Sequence, residues 1–248
     1  MTNASTKTAI VTGASSGIGL AIARSYLARG YNVVGNARSL ERLQAAHDYL
    51  GNPPNFLLVA GDISLPATAT ALFDTAIAAF GKVDILINNA GIFIAKPVGD
   101  YSDEDLDSIV ATNLKGFFYP TRRAAAHMAA NRDGHIVTIT ASLALQPTAR
   151  VPALLPILIK GGLNQATRGL AIELAGSNVR VNAVAPGIIA TPMHSDDDAT
   201  QAFFKTLAPS HAIGATGDIV DAVLYLTDST FTTGAVMPVD GGASAGTW

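Results

Sequence analysis

Three closely spaced glycines follow the first apolar run of the chain and precede a longer apolar segment. The segment TGASSGIG, residues 12–19, comes directly after the β-branched run TAIVT at 8–12. Glycines let a backbone turn tightly and approach a pyrophosphate, and the N-terminus of a following helix supplies amide donors and partial positive charge. We therefore predict a dinucleotide-binding loop, to which a merely tight turn is the alternative. The predicted contacts are Gly13, Ser15, Ser16, Gly17, Ile18 and Gly19.

The end of the second apolar run determines which dinucleotide is expected. A carboxylate there would accept hydrogen bonds from the ribose 2′-hydroxyl of NAD, but the sequence reads Asn36-Ala37-Arg38-Ser39. A guanidinium group matches the geometry of a 2′-phosphate, and a serine hydroxyl can donate to the same group. Arg38 and Ser39 thus favour NADP over NAD. A surface arginine in a loop is the alternative interpretation.

Short β-branched runs alternate with longer helical patterns along the whole chain. The predicted strands are 8–12, 31–36, 56–62, 83–91, 135–141, 179–187 and 235–240, and the predicted helices are 17–29, 39–50, 66–80, 102–130, 156–176 and 216–228. Strict alternation with continuously apolar strands is typical of a parallel sheet covered on both faces. We predict an α/β fold with a doubly wound, Rossmann-type parallel sheet of about seven strands.

One domain, 1–248, is expected to contain this sheet, because single α/β domains reach this length. The long stretch 187–215 contains HSDDDATQ and has poor strand character, so we predict a lid over the site there. An ordinary surface excursion with a solvated acidic run is the alternative. Ser39, and Ser102 with Asp105 three residues later, are predicted helix caps.

Composition excludes several classes of partner and site. The 248 residues are 49% hydrophobic and 14% charged, with a formal net charge of -3 and no cysteine. The sequence has no cluster of basic residues of the kind that binds the phosphates of nucleic acid or an anionic membrane surface. The lack of cysteine excludes disulfides and thiolate metal sites and fits a reducing compartment. A small-molecule partner, no metal and a cytoplasmic location are therefore expected.

The chain resembles the short-chain dehydrogenase/reductase family over almost its whole length, with the motifs in the family's order. The matching segments are TGxxxGxG at 12–19, GDI with Asp62 and Ile63, NNAG at 88–91, TNLKG with Asn113, ITAS with Ser142, Lys160, PGIIAT ending at Thr191, and VDGG at 239–242. A single motif of this length can occur by chance in an unrelated sequence. The ordered set points to the family and to the fold that the alternation predicts.

The resemblance implies a role for each matching residue. In the family, Asp62 and Ile63 would contact adenine, and Thr191 would contact the nicotinamide carboxamide. Asn113 matches the active-site asparagine, Ser142 the serine that positions a substrate carbonyl, and Lys160 the lysine that binds the nicotinamide ribose. The resemblance also implies cofactor contacts at Asn89, Ala90, Gly91, Pro186, Gly187 and Ile189.

The family's catalytic tyrosine has no counterpart at the matching position. The family pattern is Tyr-x-x-x-Lys, in which tyrosine transfers a proton and lysine, one turn later, lowers its pKa. This chain has Pro156-Ile157-Leu158-Ile159-Lys160, and no tyrosine lies between Tyr119 and Tyr225. Tyr119 has Arg123 at that spacing, but it belongs to the preceding helix pattern. Proline near a helix start has a suitable φ and a harmless missing N–H, so the fold tolerates it.

Three interpretations of this missing phenol stay open. A reductase would protonate its substrate through water held by Asn113 and Lys160, through Lys160 itself, or through His194 in the predicted lid. Alternatively, the substrate is an iminium or similar cation that hydride alone neutralises. A third interpretation is a nucleotide- or ligand-binding module without redox turnover. The retained Asn113, Ser142, Lys160 and Thr191 favour an NADPH-dependent oxidoreductase acting on a small carbonyl or imine.

The family usually assembles as dimers or tetramers through its fourth and fifth helices and its C-terminal segment. The apolar stretch 154–163 is compatible with burial of this kind, so the resemblance implies a homodimer or homotetramer. Burial against the chain's own core is the alternative. The substrate pocket is expected near 93–97, 143–155 and 187–211.

Overall fold

Seven parallel strands form one sheet in the order β3-β2-β1-β4-β5-β6-β7. The computed structural model describes residues 6–193 and 197–247. The strands are β1 Thr8–Thr12, β2 Asn32–Ala37, β3 Phe56–Ala60, β4 Ile85–Asn88, β5 Gly134–Ile139, β6 Val179–Pro186 and β7 Val236–Val239. The predicted doubly wound, Rossmann-type fold is confirmed.

The central strands are apolar on both faces because helices cover both faces. Alternate residues of β1 contribute to two separate cores, with Ile10 in one and Val11 in the other. In β5, Ile136 and Val137 are divided in the same way, and all four side chains are fully buried. Burying branched side chains on both faces contributes roughly 1.5–3 kcal/mol each, which explains why these runs form strands without polar alternation.

In the described part of the chain, eight α-helices pack around the sheet. They are α1 Gly17–Ala28, α2 Leu40–Tyr49, α3 Pro66–Phe80, α4 Asp103–Ile109, α5 Gly116–Asn131, α6 Leu154–Leu174, α7 Asp198–Lys205 and α8 Thr216–Asp228. The predicted caps are present: the Ser39 side chain accepts a hydrogen bond from the Arg42 amide, and Ser102 with Asp105 forms a reciprocal capping box.

Two elements differ from the sequence-based expectation. The single helix predicted over 102–130 is divided into α4 and α5 by a π-helical turn, Val110–Lys115, which contains Asn113. Apolar periodicity cannot distinguish an inserted π turn from continuous helix, and such turns are frequent at functional sites. The stretch 187–215 contains α7, whose eight residues are too few for its helical pattern to stand out.

The strand order reverses direction between β1 and β4, and this reversal places the site. β1 pairs with β2 on one side and with β4 on the other, all in parallel. Loops leaving the carboxyl ends of β1 and β4 diverge there to opposite faces, and open α/β sheets bind ligands in the resulting crevice. Among the described residues, no helix combines the length and apolar character needed to span a membrane.

At the opposite end of the sheet, His135 is buried near the start of β5. The residue is only 7% exposed, and its Nδ1 has no hydrogen-bond partner among the residues that the structure describes. Burial, reinforced by the positive charge of Arg180, lowers the pKa of His135 to about 4. The neutral imidazole is therefore the form that the folded chain accommodates.

We expect the folding stability to fall as the pH drops from about 6.5 towards about 4. Within that window the unfolded chain binds a proton at this histidine and the folded chain does not, so stability increases with pH and is fully present above it. The expected contribution at neutral pH is about 3 kcal/mol. Urea unfolding across this range measures it. His135→Gln should flatten the dependence, whereas His47→Gln, outside the core, should retain it; an unchanged slope in His135→Gln would disprove the assignment.

Candidate active site

The glycine loop is fastened to the end of β4 by a small hydrogen-bond network. The Thr12 hydroxyl accepts hydrogen bonds from the backbone amides of Asn89 and Ala90, both at 3.0 Å. The Asn89 side-chain amide donates to the Thr12 carbonyl at 2.9 Å. These bonds hold the loop after β1 and the NNAG segment in one fixed arrangement, so the two motifs form a common wall.

Glycine is required in this loop by backbone conformation and close contact. Gly13 and Gly17 have φ values of 68° and 54°, which favour glycine. A Cβ on Gly19 would overlap the Gly13 carbonyl oxygen, so its absence lets α1 pack closely against the loop. Across the cleft, the Thr191 Cβ lies 3.4 Å from where a Gly17 Cβ would stand. The segment after β6 thus faces the start of α1.

Beyond β2, two arginines and two serines surround the other end of the cleft. The buried Asn36 side chain donates to the carbonyls of Val59 and Gly61, both at 3.0 Å, and ties β2 to β3. Arg38 follows at the strand end and is exposed. Its neighbour Ser39 uses an oxygen lone pair as the α2 cap, which leaves its hydroxyl hydrogen able to donate.

Arg42 is a cleft residue that sequence reasoning missed. Its Nη2 donates to the Ser16 hydroxyl at 3.3 Å, which joins α2 to the glycine loop. Arg38, just before the α2 cap, and Arg42, in the first turn of α2, place two cations at the same end of the cavity. No sequence pattern pointed to Arg42, because its contact with Ser16 joins distant segments.

Asn113 and Lys160 approach the same point from different helices. Asn113 accepts from the Ile92 amide at 2.8 Å and donates to the Ile92 carbonyl at 2.9 Å, so its side chain positions the loop after NNAG. A Cβ on Gly91 would stand 3.3 Å from Asn113 Oδ1 and 3.4 Å from Lys160 Nζ. Glycine at 91 therefore permits both polar groups to reach this place.

Lys160 is a buried amine in the first half of α6. Its Nζ donates to the Ile139 carbonyl at 2.7 Å, and the residue is 8% exposed. Burial lowers the pKa of Lys160 to about 8. The ammonium form still predominates at neutral pH, but it releases a proton more readily than an ordinary lysine does.

Pro156 is the third residue of α6, one turn before Lys160. The first hydrogen bond of that helix runs from the Ile157 amide to the Ala153 carbonyl, so proline at 156 removes no helical hydrogen bond. The tolerance predicted from sequence is thereby explained. Pro156 is buried and is not among the residues that line the cavity described next.

One cavity of about 1310 Å³ runs along the carboxyl ends of the strands. It brings together most of the residues predicted for the site: Gly13, Ser15, Ser16, Gly17, Ile18, Arg38, Ser39, Asp62, Ile63, Asn89, Ala90, Gly91, Ser142, Lys160, Pro186, Gly187, Ile189 and Thr191. Gly19 and Asn113 do not line it, because one underlies the loop and the other turns its amide to Ile92. His194 lies outside the described residues.

The part of the cavity beyond Lys160 and Ser142 is mainly apolar. Its walls come from three segments near those expected for a substrate pocket: Phe93 and Ala95, the loop from Leu143 to Pro152, and Met193 with α7 and the residues after it. From α7 and its C-terminal flank come Phe203, Phe204 and Leu207, which lie within the expected range 187–211 but were not named individually from the sequence. The residues that the structure describes contain no group of three or more His, Cys, Asp or Glu suited to a metal ion.

Comparison with known proteins agrees with this architecture. A family model described as enoyl-(acyl carrier protein) reductase matches residues 13–244. The chain is 36% identical over 244 residues to the 3-oxoacyl-acyl-carrier-protein reductase of Escherichia coli, covering 95% of this chain and 96% of that protein.

Two solved structures show the same fold with a nicotinamide nucleotide. The 3-ketoacyl-acyl-carrier-protein reductase of Brucella melitensis, complexed with NADH, has a TM-score of 0.87 and 32% identity, covering 96% of this chain and 98% of that one. ElxO with NADP bound has a TM-score of 0.91 and 26% identity, covering 97% and 100%. Sequence motifs, fold and relatives agree, and the chain belongs to the short-chain dehydrogenase/reductase family of oxidoreductases.

Proposed function

We propose that this protein is an NADPH-dependent oxidoreductase that reduces a small carbonyl, imine or iminium acceptor. The observation that carries the proposal is the single cavity that joins the glycine loop to Lys160 and Ser142 and then to an apolar chamber. A dinucleotide along the loop would end beside these polar side chains, and an acceptor in the chamber would meet it there.

The residues present fit a nicotinamide dinucleotide phosphate. The glycine loop leaves room for a pyrophosphate at the start of α1, and Asp62 lies in the wall beyond β3. Within the described part of the chain, Arg38, Arg42 and Lys160 form no ion pair, so their charges are available to a ligand. Two uncompensated guanidinium groups at the rim after β2 match a 2′-phosphate.

Each polar residue of the site has a distinct task in this proposal. When bound, the reduced nicotinamide supplies a hydride. Lys160 holds the adjacent ribose through its ammonium group, and Thr191 faces the carboxamide. Ser142, at the cavity wall, orients the acceptor, while Asn113 acts as a positioning residue through Ile92. The apolar chamber excludes water from the acceptor.

We further infer that Pro156 stands where other family members carry their proton-donating tyrosine. A pyrrolidine ring can neither donate nor accept a proton. Lys160 is then the ionised side chain of the described residues at this point of the cavity, but its ammonium group donates to the Ile139 carbonyl and is assigned to the ribose. An acceptor that already carries positive charge needs no proton, so iminium ions are the favoured substrates.

The lid and the assembly are also part of the proposal. Phe203 and Phe204, on α7, form part of the cavity wall, which supports a lid within 187–215. On α5 and α6, Phe118, Leu154 and Leu158 are exposed apolar side chains. Such side chains favour burial against a second copy, which supports a homodimer or homotetramer.

Arg38→Ala is expected to weaken NADPH binding by roughly ten- to a hundredfold and to leave NADH binding unchanged, because only NADPH carries the 2′-phosphate. Calorimetric titration of both nucleotides into wild type and variant measures this. Arg24→Ala, an exposed arginine of α1 that is not among the cavity-lining residues, is the matched control. No saturable binding of either nucleotide to the wild type would refute the proposed function, whereas a wild-type preference for NADH would refute only the role of Arg38.

A further inference from the structure

Among the described residues, one cation in the cavity wall has no role in the proposed function. The ionisable residues of the described chain that line the cavity are Arg38, Arg42, Asp62, Arg150, Lys160, Asp218 and Asp240. The three carboxylates each accept hydrogen bonds from backbone amides close in sequence. Three of the cations are assigned to the nucleotide, which leaves Arg150.

Arg150 lies in the loop between β5 and α6, on the apolar side of the cavity. Its nearest lining neighbours in sequence are Thr148, Val151 and Pro152, and the opposite wall includes Phe203. The guanidinium carbon lies 5.7 Å from the centre of the Phe203 ring. Arg150 is exposed, and the side chains beside it in the cavity wall are uncharged.

The hydrogen bonds of Arg150 do not neutralise its charge. Nη1 donates to the Thr206 carbonyl and Nη2 to the Thr206 hydroxyl, both at 2.5 Å. Both acceptors are neutral, and among residues 6–193 and 197–247 Arg150 forms no ion pair. A guanidinium has five N–H donors, so these two bonds leave donors for a ligand. Thr206 is the C-cap of α7, and its two hydrogen bonds orient the guanidinium group of Arg150.

We infer that Arg150 binds an anionic oxyacid group, a carboxylate or a phosphate, at the end of the substrate remote from the reacting carbon. This inference rests on the proposed function, because it assumes that the nucleotide occupies the other cations. Planar guanidinium groups bind such anions through paired, charge-assisted hydrogen bonds. The substrate is accordingly an amphiphile that carries an anionic group at one end and the reacting carbonyl or iminium carbon at the other, with an apolar segment that spans the chamber.

Binding to the NADP-loaded protein tests the inference without turnover. The probes are a phenyl ketone with a terminal carboxylate, its methyl ester, and the matching phosphonate, titrated calorimetrically with and without NADP. The carboxylate should bind roughly ten- to a hundredfold more tightly than the ester. A tighter phosphonate would identify a phosphate as the natural group, and a tighter carboxylate would identify a carboxylate. Equal affinities of all three probes in the wild type would overturn the inference.

Variants separate recognition of the anion from a structural role of the loop. Arg150→Gln should bring the acid-to-ester affinity ratio close to one, and Arg150→Lys should retain part of it. Thr206→Val removes the hydroxyl acceptor of Arg150 Nη2 but keeps the carbonyl acceptor and the guanidinium group, so it should keep the preference for the acid. An unchanged ratio in Arg150→Gln would overturn the inference. The titration of NADP into the wild type tests the proposed function separately. If the wild type does not bind NADP, the proposed function is refuted, not the role of Arg150.

Discussion

Replacing Pro156 by tyrosine is expected to raise the turnover of simple ketones and aldehydes by about 10²–10⁴-fold, which is the usual contribution of a positioned general acid. The new phenol would stand one helical turn before Lys160, whose ammonium group lowers the pKa of a neighbouring phenol. Position 156 is in the first turn of α6, where a residue has no helical acceptor for its backbone N–H, so the backbone already suits another residue.

Pro156→Phe is the matched control for this gain. Phenylalanine has the same ring as tyrosine and no hydroxyl, so it reproduces any change in packing of the buried position without supplying a proton. Initial rates of NADPH oxidation with a ketone and an aldehyde measure both variants, and NADPH binding shows that each variant is folded. Equal rates for the tyrosine and phenylalanine variants would mean that the phenol is not the missing element.

The wild type is expected to reduce an iminium ion at least about a hundredfold faster than the ketone of the same skeleton. A missing general acid lowers the rate by about this factor only when the oxygen of the product must take up a proton. Hydride transfer to an iminium carbon gives a neutral amine directly. Adding the phenol should therefore help the ketone and leave the iminium almost unchanged. The ratio of the iminium rate to the ketone rate should therefore be smaller in Pro156→Tyr than in the wild type. An unchanged ratio in Pro156→Tyr would contradict the explanation.

The features predicted from sequence are those encoded by neighbours along the chain. The glycine loop, the caps at Ser39 and Ser102 and the alternation of strands and helices depend on local residues, and the structure contains each of them. The doubly wound fold followed from the chirality and packing rules that restrict parallel sheets, whereas the order of the strands was not predicted.

The features that sequence reasoning missed depend on contacts between distant segments. Arg150 meets Thr206 across 56 positions of sequence, and Arg42 meets Ser16 across 26. No periodic pattern predicts such pairs. The π turn around Asn113 was missed for a different reason, since it inserts into a helix without changing its apolar pattern.

The role of Pro156 is best explained by the structure and the sequence together. Sequence shows that the residue four positions before Lys160 has no ionisable group. The structure shows that α6 forms normally around it and carries Lys160 to the cavity wall. A site that keeps Lys160 but has no tyrosine fits the proposed function, in which the site binds the nucleotide and reduces acceptors that need no proton from the protein.

The most direct test is the initial rate of NADPH oxidation by the wild-type protein with a cyclic iminium ion, measured in parallel with the cyclic ketone of the same ring. The account predicts clear turnover of the iminium ion at a rate at least about a hundredfold above that of the ketone. Equal or faster reduction of the ketone, or no oxidation of NADPH with either acceptor, would contradict it.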